Sequence, residues 1–352
     1  MKSRIMSFAE GVSFSGSASV VGRREYEGPL GELFDLHDPT DKFGMNTWEK
    51  AESEMQRLAL NTALAKVSAT EREIGALFAG DLLNQCVGSS YGLLAFDIPY
   101  FGLYGACSTA VEGIILASAL VDAGYISSAA AVTSSHNCTA ERQFRTPLEY
   151  GGQRSPTSQW TVTGSAAFLI GTGGRVRISE ALCGVVVEKG IKDLSNMGAA
   201  MAPAAADTLK RYFADSSLSP EDLDAIVTGD LGIEGGKILT ELLLAEGLDI
   251  RKKFLDCGVM IYGGGDTELY PESIQSSAGA KRKKRDFDLG AGGSGCGCSA
   301  TVLSAYFLPK LRSGELKNIL FIGTGAMMSP SSVQQGEAIP AVAHLIRLTH
   351  EK

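Results

Sequence analysis

Histidine is scarce in this chain of 352 residues, which contains only four, at positions 37, 136, 344 and 350. The long stretch between residues 137 and 343 therefore offers no imidazole for proton transfer. The chain also lacks any run of about 18 apolar residues, so we expect no transmembrane helix. No apolar signal-peptide core follows Met1. The net charge is −8, so the excess of positive charge that favours nucleic-acid binding is missing as well.

The seven cysteines are an odd number in a long chain and follow no disulfide framework. We therefore expect reduced thiols and a cytosol-like compartment. Hydrophobic residues make up 44% of the chain and charged residues 20%, and 42 residues are glycine. This composition is typical of a loop-rich α/β protein, and the length is sufficient for two domains or one duplicated domain.

A repeated motif indicates that the chain contains the same unit twice. One apolar strand ends in Gly80-Asp81-Leu82, and a second ends in Gly229-Asp230-Leu231. Each follows a predicted helix, at 49–67 and at 203–214, and Pro203 fits the first position of the latter.

A second pair of matching segments lies further along the chain. Cys107-Ser108 and Cys298-Ser299 each precede a helix, a glycine and a strand. The predicted helices are 110–123 and 300–312, and the predicted strands are 129–132, 166–170 and 319–322. Strands that alternate with such helices form parallel βαβ units. We therefore predict an α/β fold of two similar halves, 1–175 and 176–352, with an insertion in the second at about 232–290.

Cys107 lies just ahead of the first of these helices. A thiol at a helix start meets unpaired backbone N–H groups and the positive end of the helix dipole, which both favour the thiolate. With a proton-transfer partner, such a cysteine is a nucleophile. The same geometry binds the carboxylate of a ligand without any chemistry, and a small buried packing residue is a third interpretation.

Other polar candidates stand at the carboxyl ends of predicted strands, where open α/β sheets bind ligands. These candidates are Asp81, Asn84, Ser134, Ser135 and His136. A carboxylate at position 81 would repel an acidic ligand, so we expect it to hold a backbone turn or Ca²⁺. His136 fits two interpretations equally well, a ligand contact or a structural group whose hydrogen bonds are all made within the protein.

The segment after residue 140 mixes arginines with aromatic rings, namely Arg142, Phe144, Arg145, Tyr150, Arg154 and Trp160. Guanidinium groups bind carboxylates and rings stack, so this mixture suits a planar aromatic dicarboxylate. A lid or dimer-tip loop held by surface ion pairs explains the composition equally well.

No metal or cofactor site is predicted. Asp81 and Asp230 are far apart in sequence, and Cys296-x-Cys298 lacks the second pair that zinc would require. The glycines of 263–265 and 290–297 match no phosphate-binding loop. The basic run Lys281–Arg285 is typical of a solvated loop, with a patch for anionic lipid or an acidic partner as the alternative.

The duplicated half with a cysteine at a helix start resembles the thiolase and ketoacyl-synthase superfamily. Thr163-Gly164-Ser165 resembles the strand that closes the first half, and Gly323-Thr324-Gly325 resembles a late glycine turn. This resemblance implies a layered αβαβα fold. It also implies that Cys107 matches the acyl-accepting cysteine and that the backbone at Gly325 helps to form an oxyanion hole.

Longer strings resemble the stage V sporulation protein AD family of endospore-forming bacteria. They are Gly80–Gln85, Ser134–Arg145, Met201–Thr208 and Gly292–Cys296. This resemblance implies binding of dipicolinic acid (pyridine-2,6-dicarboxylate) or calcium dipicolinate for uptake into the developing spore. It further implies a peripheral place at the spore inner membrane and membrane proteins of the same operon as partners. The wider resemblance to thiolase-like folds, which commonly pair through a strand of the first half, adds a homodimer as a candidate oligomeric state.

The sequence departs from thiolase enzymes where their acid–base groups lie. Cys298 stands roughly where thiolases carry histidine, and Phe321 stands where they carry a second cysteine. We therefore expect a non-catalytic binding protein; the alternatives are a thioester-dependent acyltransferase that uses Cys107 and a scaffold with a vestigial pocket. The predicted ligand-binding residues are Asp81, Asn84, Cys107, Ser108, Ser134, Ser135, His136, Arg145, Cys298 and Gly325.

Overall fold

The computed structural model describes residues 4–9, 11–144, 154–263 and 287–351. Within these residues, 12 strands form one mixed sheet and two further strands form a small second sheet. The strands are β1 (Met6–Ser7), β2 (Val12–Val21), β3 (Leu36–His37), β4 (Ala76–Gly80), β5 (Tyr100–Leu103), β6 (Ala129–Ser135), β7 (Trp160–Thr161), β8 (Gly164–Thr172), β9 (Val176–Leu182), β10 (Ala225–Thr228), β11 (Phe254–Asp256), β12 (Gly293–Ser294), β13 (Asn318–Ala326) and β14 (Ala341–His350).

Helices connect most of these strands. They are α1 (Arg23–Tyr26), α2 (Trp48–Lys66), α3 (Val87–Gly92), α4 (Thr109–Asp122), α5 (Asn137–Phe144), α6 (Met197–Asp215), α7 (Gly232–Ala245), α8 (Cys257–Tyr262), α9 (Cys296–Val302), α10 (Leu308–Ser313) and α11 (Pro330–Gln334). A π-helical turn, Leu303–Phe307, joins α9 to α10, so the helix predicted at 300–312 begins earlier and is irregular in its middle.

The main sheet consists of two halves with the same strand order. The order is β2-β8-β6-β4-β5 in the first half and β9-β14-β13-β10-β11 in the second. In each half the first two pairings are antiparallel and the last two are parallel. The halves meet where Ser13 pairs with Arg177 and Phe14 with Val176. The prediction of two similar α/β halves is confirmed.

Helices cover the sheet and also separate its two halves. α2 packs on β2 and β8, and α6 packs on β13 and β14, so these two helices form the outer layers. α4 contacts β4 and β6 on one side and β13 and β14 on the other, while α9 packs on β6 and β8. Because it lies between two half-sheets, α4 is apolar on nearly every face. This order of layers is the expected αβαβα arrangement.

The prediction that a helix starts at Pro203 is wrong. α6 begins six residues earlier, where the Asn196 side chain accepts a hydrogen bond from the backbone N–H of Ala199. Pro203 therefore lies inside the helix. The early turns form because Gly198 lets α6 approach α7 closely: a Cβ at Gly198 would lie 2.3 Å from the carbonyl oxygen of Leu231.

Part of the predicted insertion lies outside the described residues. Its described parts are residues 232–263, which contain α7, β11 and α8, and residues 287–290, which contain a 3₁₀ turn. The basic run Lys281–Arg285 falls outside the described ranges.

Candidate functional site

A cavity opens between the starts of α4 and α9, and both halves of the chain contribute to its walls. The space between the lining atoms, including the part open to solvent at the mouth, is about 580 Å³. The cavity is lined by Leu82, Tyr104, Ala106, Cys107, Ala140, Glu141, Phe144, Gln159, Thr161, Leu194, Ser195, Met197, Ser294, Gly295, Ala326 and Met328.

Cys107 sits on a 3₁₀ turn, Ala106–Ser108, directly ahead of α4. Two hydroxyls fix this turn: Ser108 Oγ donates to the Gly105 carbonyl at 2.7 Å, and Thr109 Oγ1 donates to the Ala106 carbonyl at 2.7 Å. Ser108 thus supports the turn and is itself fully buried, outside the cavity lining. Gly325 packs against the same turn, and a Cβ there would lie 2.3 Å from the Gly105 carbonyl oxygen.

Asp230 lies behind the thiol of Cys107. Its Oδ1 accepts a hydrogen bond from the Thr324 hydroxyl at 2.7 Å, and its Oδ2 accepts one from the Gly295 N–H at 2.9 Å. Burial raises the pKa of Asp230 to about 7, although these two hydrogen bonds and the nearby Cys107 thiol favour its charged form.

The expectation that the helix start stabilises a thiolate at Cys107 is wrong. Burial, followed by the nearby Asp230 carboxylate, raises the pKa of the Cys107 thiol well above its usual range. The Gly295 N–H acts in the opposite direction but does not outweigh them. At neutral pH the cavity therefore presents a protonated thiol.

Histidine does not reach this thiol: all four histidines lie within the described residues, and none of them lines the cavity. His136 is buried, its Nε2 donates to the Asp41 carbonyl at 2.8 Å, and its Nδ1 accepts from the Cys138 N–H at 3.1 Å. Burial lowers the pKa of His136, which favours the neutral ring. Both ring nitrogens of His136 therefore have partners within the protein, which matches its interpretation as a structural group.

Asp81 holds a backbone turn, which is one of the two roles that the sequence predicts for it. Its carboxyl accepts from the N–H groups of Leu83, at 2.8 Å, and Ser89, at 2.7 Å, and from the Ser89 hydroxyl at 2.6 Å. A neighbouring buried carboxyl, Glu52, accepts from the hydroxyls of Ser134, at 3.0 Å, and Thr139, at 2.6 Å. Burial and the charge of Asp81 raise the pKa of Glu52, so this pair holds a proton at neutral pH.

The other predicted residues lie around the cavity and outside its lining. Ser135 donates to the Val162 carbonyl at 2.7 Å, and the Cys298 thiol donates to the Gly229 carbonyl at 3.4 Å. Asn84 accepts from the Gln143 side-chain amide at 2.7 Å near the surface. Arg145 falls outside the described residues. Of the ten predicted residues, the structure places Cys107 in the lining and most of the others one layer behind it.

The fold places the arginines and aromatic residues that follow residue 140 in different parts of the molecule. Arg142 forms an ion pair with Glu49 at 2.6 Å on the surface. Arg154 lies at the cavity wall, where it forms an ion pair with Glu141 and stacks 4.6 Å from the centre of the Trp160 ring. Phe144 lines the cavity, whereas Tyr150 falls outside the described residues.

Several lining residues carry no signal in the sequence. Glu141, Gln159, Met197 and Met328 come from separate segments, and only folding brings them together. Asp230 is different, because the repeated Gly-Asp-Leu motif marks it.

The architecture defines a protein of the thiolase-like fold. A variant of OleA from Xanthomonas campestris matches with a TM-score of 0.57 at 16% identity, covering 98% of this chain and 99% of that chain. A variant bound with cerulenin gives a TM-score of 0.55 at 17% identity, covering 97% and 98%. At such identities the likeness concerns the fold alone.

Sequence comparison is more specific. Residues 2–349 match the family described as Stage V sporulation protein AD. The Stage V sporulation protein AD of Bacillus subtilis (strain 168) is 42% identical over 338 residues, which cover 96% of this chain and 94% of that protein. The chain therefore belongs to the stage V sporulation protein AD family. Among the described helices, none combines the length and the apolar character needed to cross a membrane.

Proposed function

We propose that this protein is a non-catalytic binding protein for dipicolinic acid, free or as its calcium chelate, and serves its uptake into the developing spore. The ligand is the one that the family resemblance implies, and the cavity beside Cys107 is its proposed site. The observation that carries the proposal is the surroundings of the thiol. The ionisable group that raises the pKa of the thiol most, after burial, is the Asp230 carboxyl, and no imidazole of the described residues lines the cavity.

The residues that line the cavity suit a ligand with a flat ring and polar substituents. Leu82, Phe144 and Met328 offer apolar faces, while the hydroxyls of Thr161, Ser195 and Ser294 offer donors for carboxylates. Glu141 brings a negative charge into the lining, which Arg154 offsets. A calcium ion travelling with the dicarboxylate would reduce the remaining repulsion.

Isothermal titration of the full chain with dipicolinate, with and without calcium, tests this proposal. We expect saturable binding, and we expect Phe144→Ala to weaken it about tenfold because a ring face is lost, roughly 1.4 kcal/mol. Phe213→Ala is the matched control, since Phe213 packs on Tyr212 away from the cavity. Absence of saturable heat in both conditions would refute the proposal.

An acyltransferase is the second candidate, because the carboxyl of Asp230 lies near enough to the Cys107 thiol to affect its pKa. Proton transfer from the thiol to this carboxyl is unfavourable, because the pKa of Asp230 is about 7 while burial raises the pKa of Cys107 well above its usual range. Incubation with acyl thioesters followed by mass spectrometry separates the candidates, because a stable adduct on Cys107 supports the enzyme.

We also propose a homodimer that forms through β5. This strand is the outer edge of its half-sheet, and it exposes Tyr100 and Phe101, which is 50% exposed. We expect Phe101→Glu to convert the dimer to a monomer in size-exclusion chromatography with light scattering. Tyr125→Glu, also at an exposed ring, is the matched control. A wild-type mass equal to one chain would contradict the dimer.

We propose that the protein acts at the spore inner membrane, as a peripheral protein held by membrane proteins of the same sporulation operon. Fractionation of sporulating cells tests this. The protein should sediment with membranes, be released by washing at high salt or alkaline pH, and become soluble when those membrane proteins are deleted. Membrane retention after the wash or after the deletion would contradict it.

A further inference from the structure

A buried network of hydrogen bonds ties α5 to α2 beside the cavity. Glu52, on α2, is fully buried, and its Oε2 lies 2.6 Å from the hydroxyl oxygen of Thr139, on α5. α5 also carries three residues of the cavity lining, Ala140, Glu141 and Phe144. The contact between Glu52 and Thr139 therefore fixes the helix that forms one wall of the cavity.

The hydroxyl of Thr139 has two acceptors within reach but only one proton. Its Oγ1 lies 2.6 Å from Glu52 Oε2 and 2.9 Å from the carbonyl oxygen of His136. A carboxylate at Glu52 would compete with that carbonyl for the single proton and leave one acceptor without a partner. A protonated Glu52 removes the competition, because its own O–H donates to Thr139 Oγ1 and the Thr139 hydroxyl then donates to the His136 carbonyl.

The other oxygen of Glu52 accepts a hydrogen bond from the Ser134 hydroxyl at 3.0 Å. This hydroxyl donates toward Glu52 because it accepts, on its other side, from the side-chain amide of Gln56 at 2.8 Å. The carbonyl oxygen of Gly80, 3.3 Å from the same nitrogen, fixes which end of the amide carries the N–H groups. Both oxygens of a neutral Glu52 therefore have matched partners.

Asp81, the second buried carboxyl of this network, has different surroundings. Its three hydrogen bonds all come from donors, namely the N–H of Leu83 and the N–H and hydroxyl of Ser89. Such surroundings stabilise a carboxylate. The hydrogen bonds therefore assign the proton of this pair to Glu52 and the negative charge to Asp81.

We infer that Glu52 is a positioning residue that acts as a neutral acid: its proton holds α5, and with it one wall of the cavity, against α2. The inference rests on the proposed function only in taking this cavity as the binding site. Loss of the proton leaves Thr139 with one acceptor too many and places a second negative charge close to Asp81. α5 then separates from α2, and the wall opens.

The charged groups around Glu52 determine the pH at which this change occurs. Among the described residues, the titratable groups that face it are Asp81 directly after β4, Glu49 on α2 and Cys296 on α9, and none of these is a cation. Burial, followed by the charge of Asp81, raises the pKa of Glu52 to about 8. At pH 9 about one chain in ten keeps the proton, whereas nearly all chains keep it at pH 6.5.

The test is amide hydrogen exchange of α5 in the full chain without ligand, measured by mass spectrometry at pH 6.5 and pH 9 and corrected for the intrinsic exchange rate at each pH. We expect the protection of α5 to fall about tenfold at pH 9, in proportion to the loss of neutral Glu52. Glu52→Gln keeps a donor and an acceptor but cannot ionise, so its α5 should stay protected at both pH values. An unchanged wild-type profile, or an equal fall in Glu52→Gln, would overturn the inference.

Glu49→Gln is the matched control for these measurements. It removes the ion pair between Glu49 and Arg142, at 2.6 Å, which joins the same two helices at the surface. Such a pair contributes little to stability, so this variant should keep the pH-dependent fall of the wild type. Peptides of β14 report opening of the whole fold, and a parallel tenfold loss of protection there would also overturn the inference.

Thr139→Val removes the hydroxyl with little change in shape and provides a test that does not depend on the folding of Glu52→Gln. Its α5 should be poorly protected already at pH 6.5, and protection equal to that of the wild type would contradict the inference.

Calorimetry measures the consequence for binding. The affinity for dipicolinate should fall about tenfold between pH 6.5 and pH 9 in the wild type and stay constant in Glu52→Gln. A wild-type affinity that is equal at both pH values would contradict the inference. Absence of binding at both pH values would refute the proposed function alone, because the exchange measurements decide the role of Glu52 without any ligand.

Discussion

At the scale of single residues, Gly295 places a steric constraint on the cavity that it lines. Its φ of +102° belongs to the region that favours glycine, and a Cβ there would lie 2.6 Å from Ser135 Oγ. That hydroxyl cannot withdraw easily, because it donates to the Val162 carbonyl and accepts from the Gly297 N–H at 3.1 Å. Ser135 thus shapes the cavity from behind, without lining it.

We expect Gly295→Ala to lower the free energy of unfolding by about 3–4 kcal/mol. Of this, about 1–2 kcal/mol reflects the positive φ and the rest reflects the overlap with Ser135. Gly124→Ala is the matched control, since φ is +72° there and no atom lies within 4 Å of the added Cβ. Urea unfolding measures both, and equal losses in the two variants would contradict the steric argument.

The sequence predicts the place of Cys107 correctly, because glycine 105 and the apolar run after it are local signals. It does not predict the raised pKa of the thiol, since Asp230 follows 123 residues later and reaches the sulfur only through folding. The same limit explains why Ser134 and Ser135 lie behind the cavity: their strand end is predictable, but the direction of each side chain depends on the partner half.

At the scale of elements, α6 shows how packing overrides a local signal. A proline usually marks a helix start because its missing N–H is unpaired there. In α6 the cap at Asn196 and the close contact of Gly198 with α7 extend the helix backwards past Pro203. The helix therefore keeps an interior proline, which removes one backbone hydrogen bond.

We expect Pro203→Ala to raise the free energy of unfolding by about 1–2 kcal/mol. Restoring the helical hydrogen bond stabilises the native state, and the greater freedom of the unfolded chain offsets part of this gain. Pro220→Ala is the control, because Pro220 begins a 3₁₀ helix where its missing N–H does no harm. Thermal unfolding measures both changes; a lower Tm for Pro203→Ala would show that the proline suits this helix.

At the scale of the whole molecule, the described interior contains several carboxyl groups whose pKa is raised by burial. Burial raises the pKa of Glu25 to about 7, of Asp230 to about 7 and of Asp256 to about 6. Between their unfolded and folded pKa values, the native state holds more protons than the unfolded chain, so stability falls as pH rises. His136 and His344 have lowered pKa values and act oppositely, but only below about pH 6.5.

Glu52, whose pKa is raised to about 8, adds to this effect. We therefore expect the free energy of unfolding to fall by about 3 kcal/mol between pH 6.5 and pH 8, where the carboxyl groups dominate. Glu25→Gln should reduce this fall, because the amide cannot ionise and keeps the acceptor that Thr163 N–H uses at 3.1 Å. Urea titrations at the two pH values give the comparison. A stability that is constant or rises over this interval would show that these carboxyls are already charged at pH 6.5.

The two Gly-Asp-Leu motifs lie at the ends of β4 and β10, which occupy matching places in the two halves. Asp81 holds the turn that follows its own strand, whereas Asp230 accepts hydrogen bonds from Thr324 and Gly295 in other segments. In a symmetric dimer of two identical half-chains, both aspartates would have the same surroundings and the same role. In a single polypeptide the two halves differ in sequence, so the two aspartates can have different roles. A mutation in one copy leaves the other unchanged, so each aspartate can specialise separately while the shared framework stays the same.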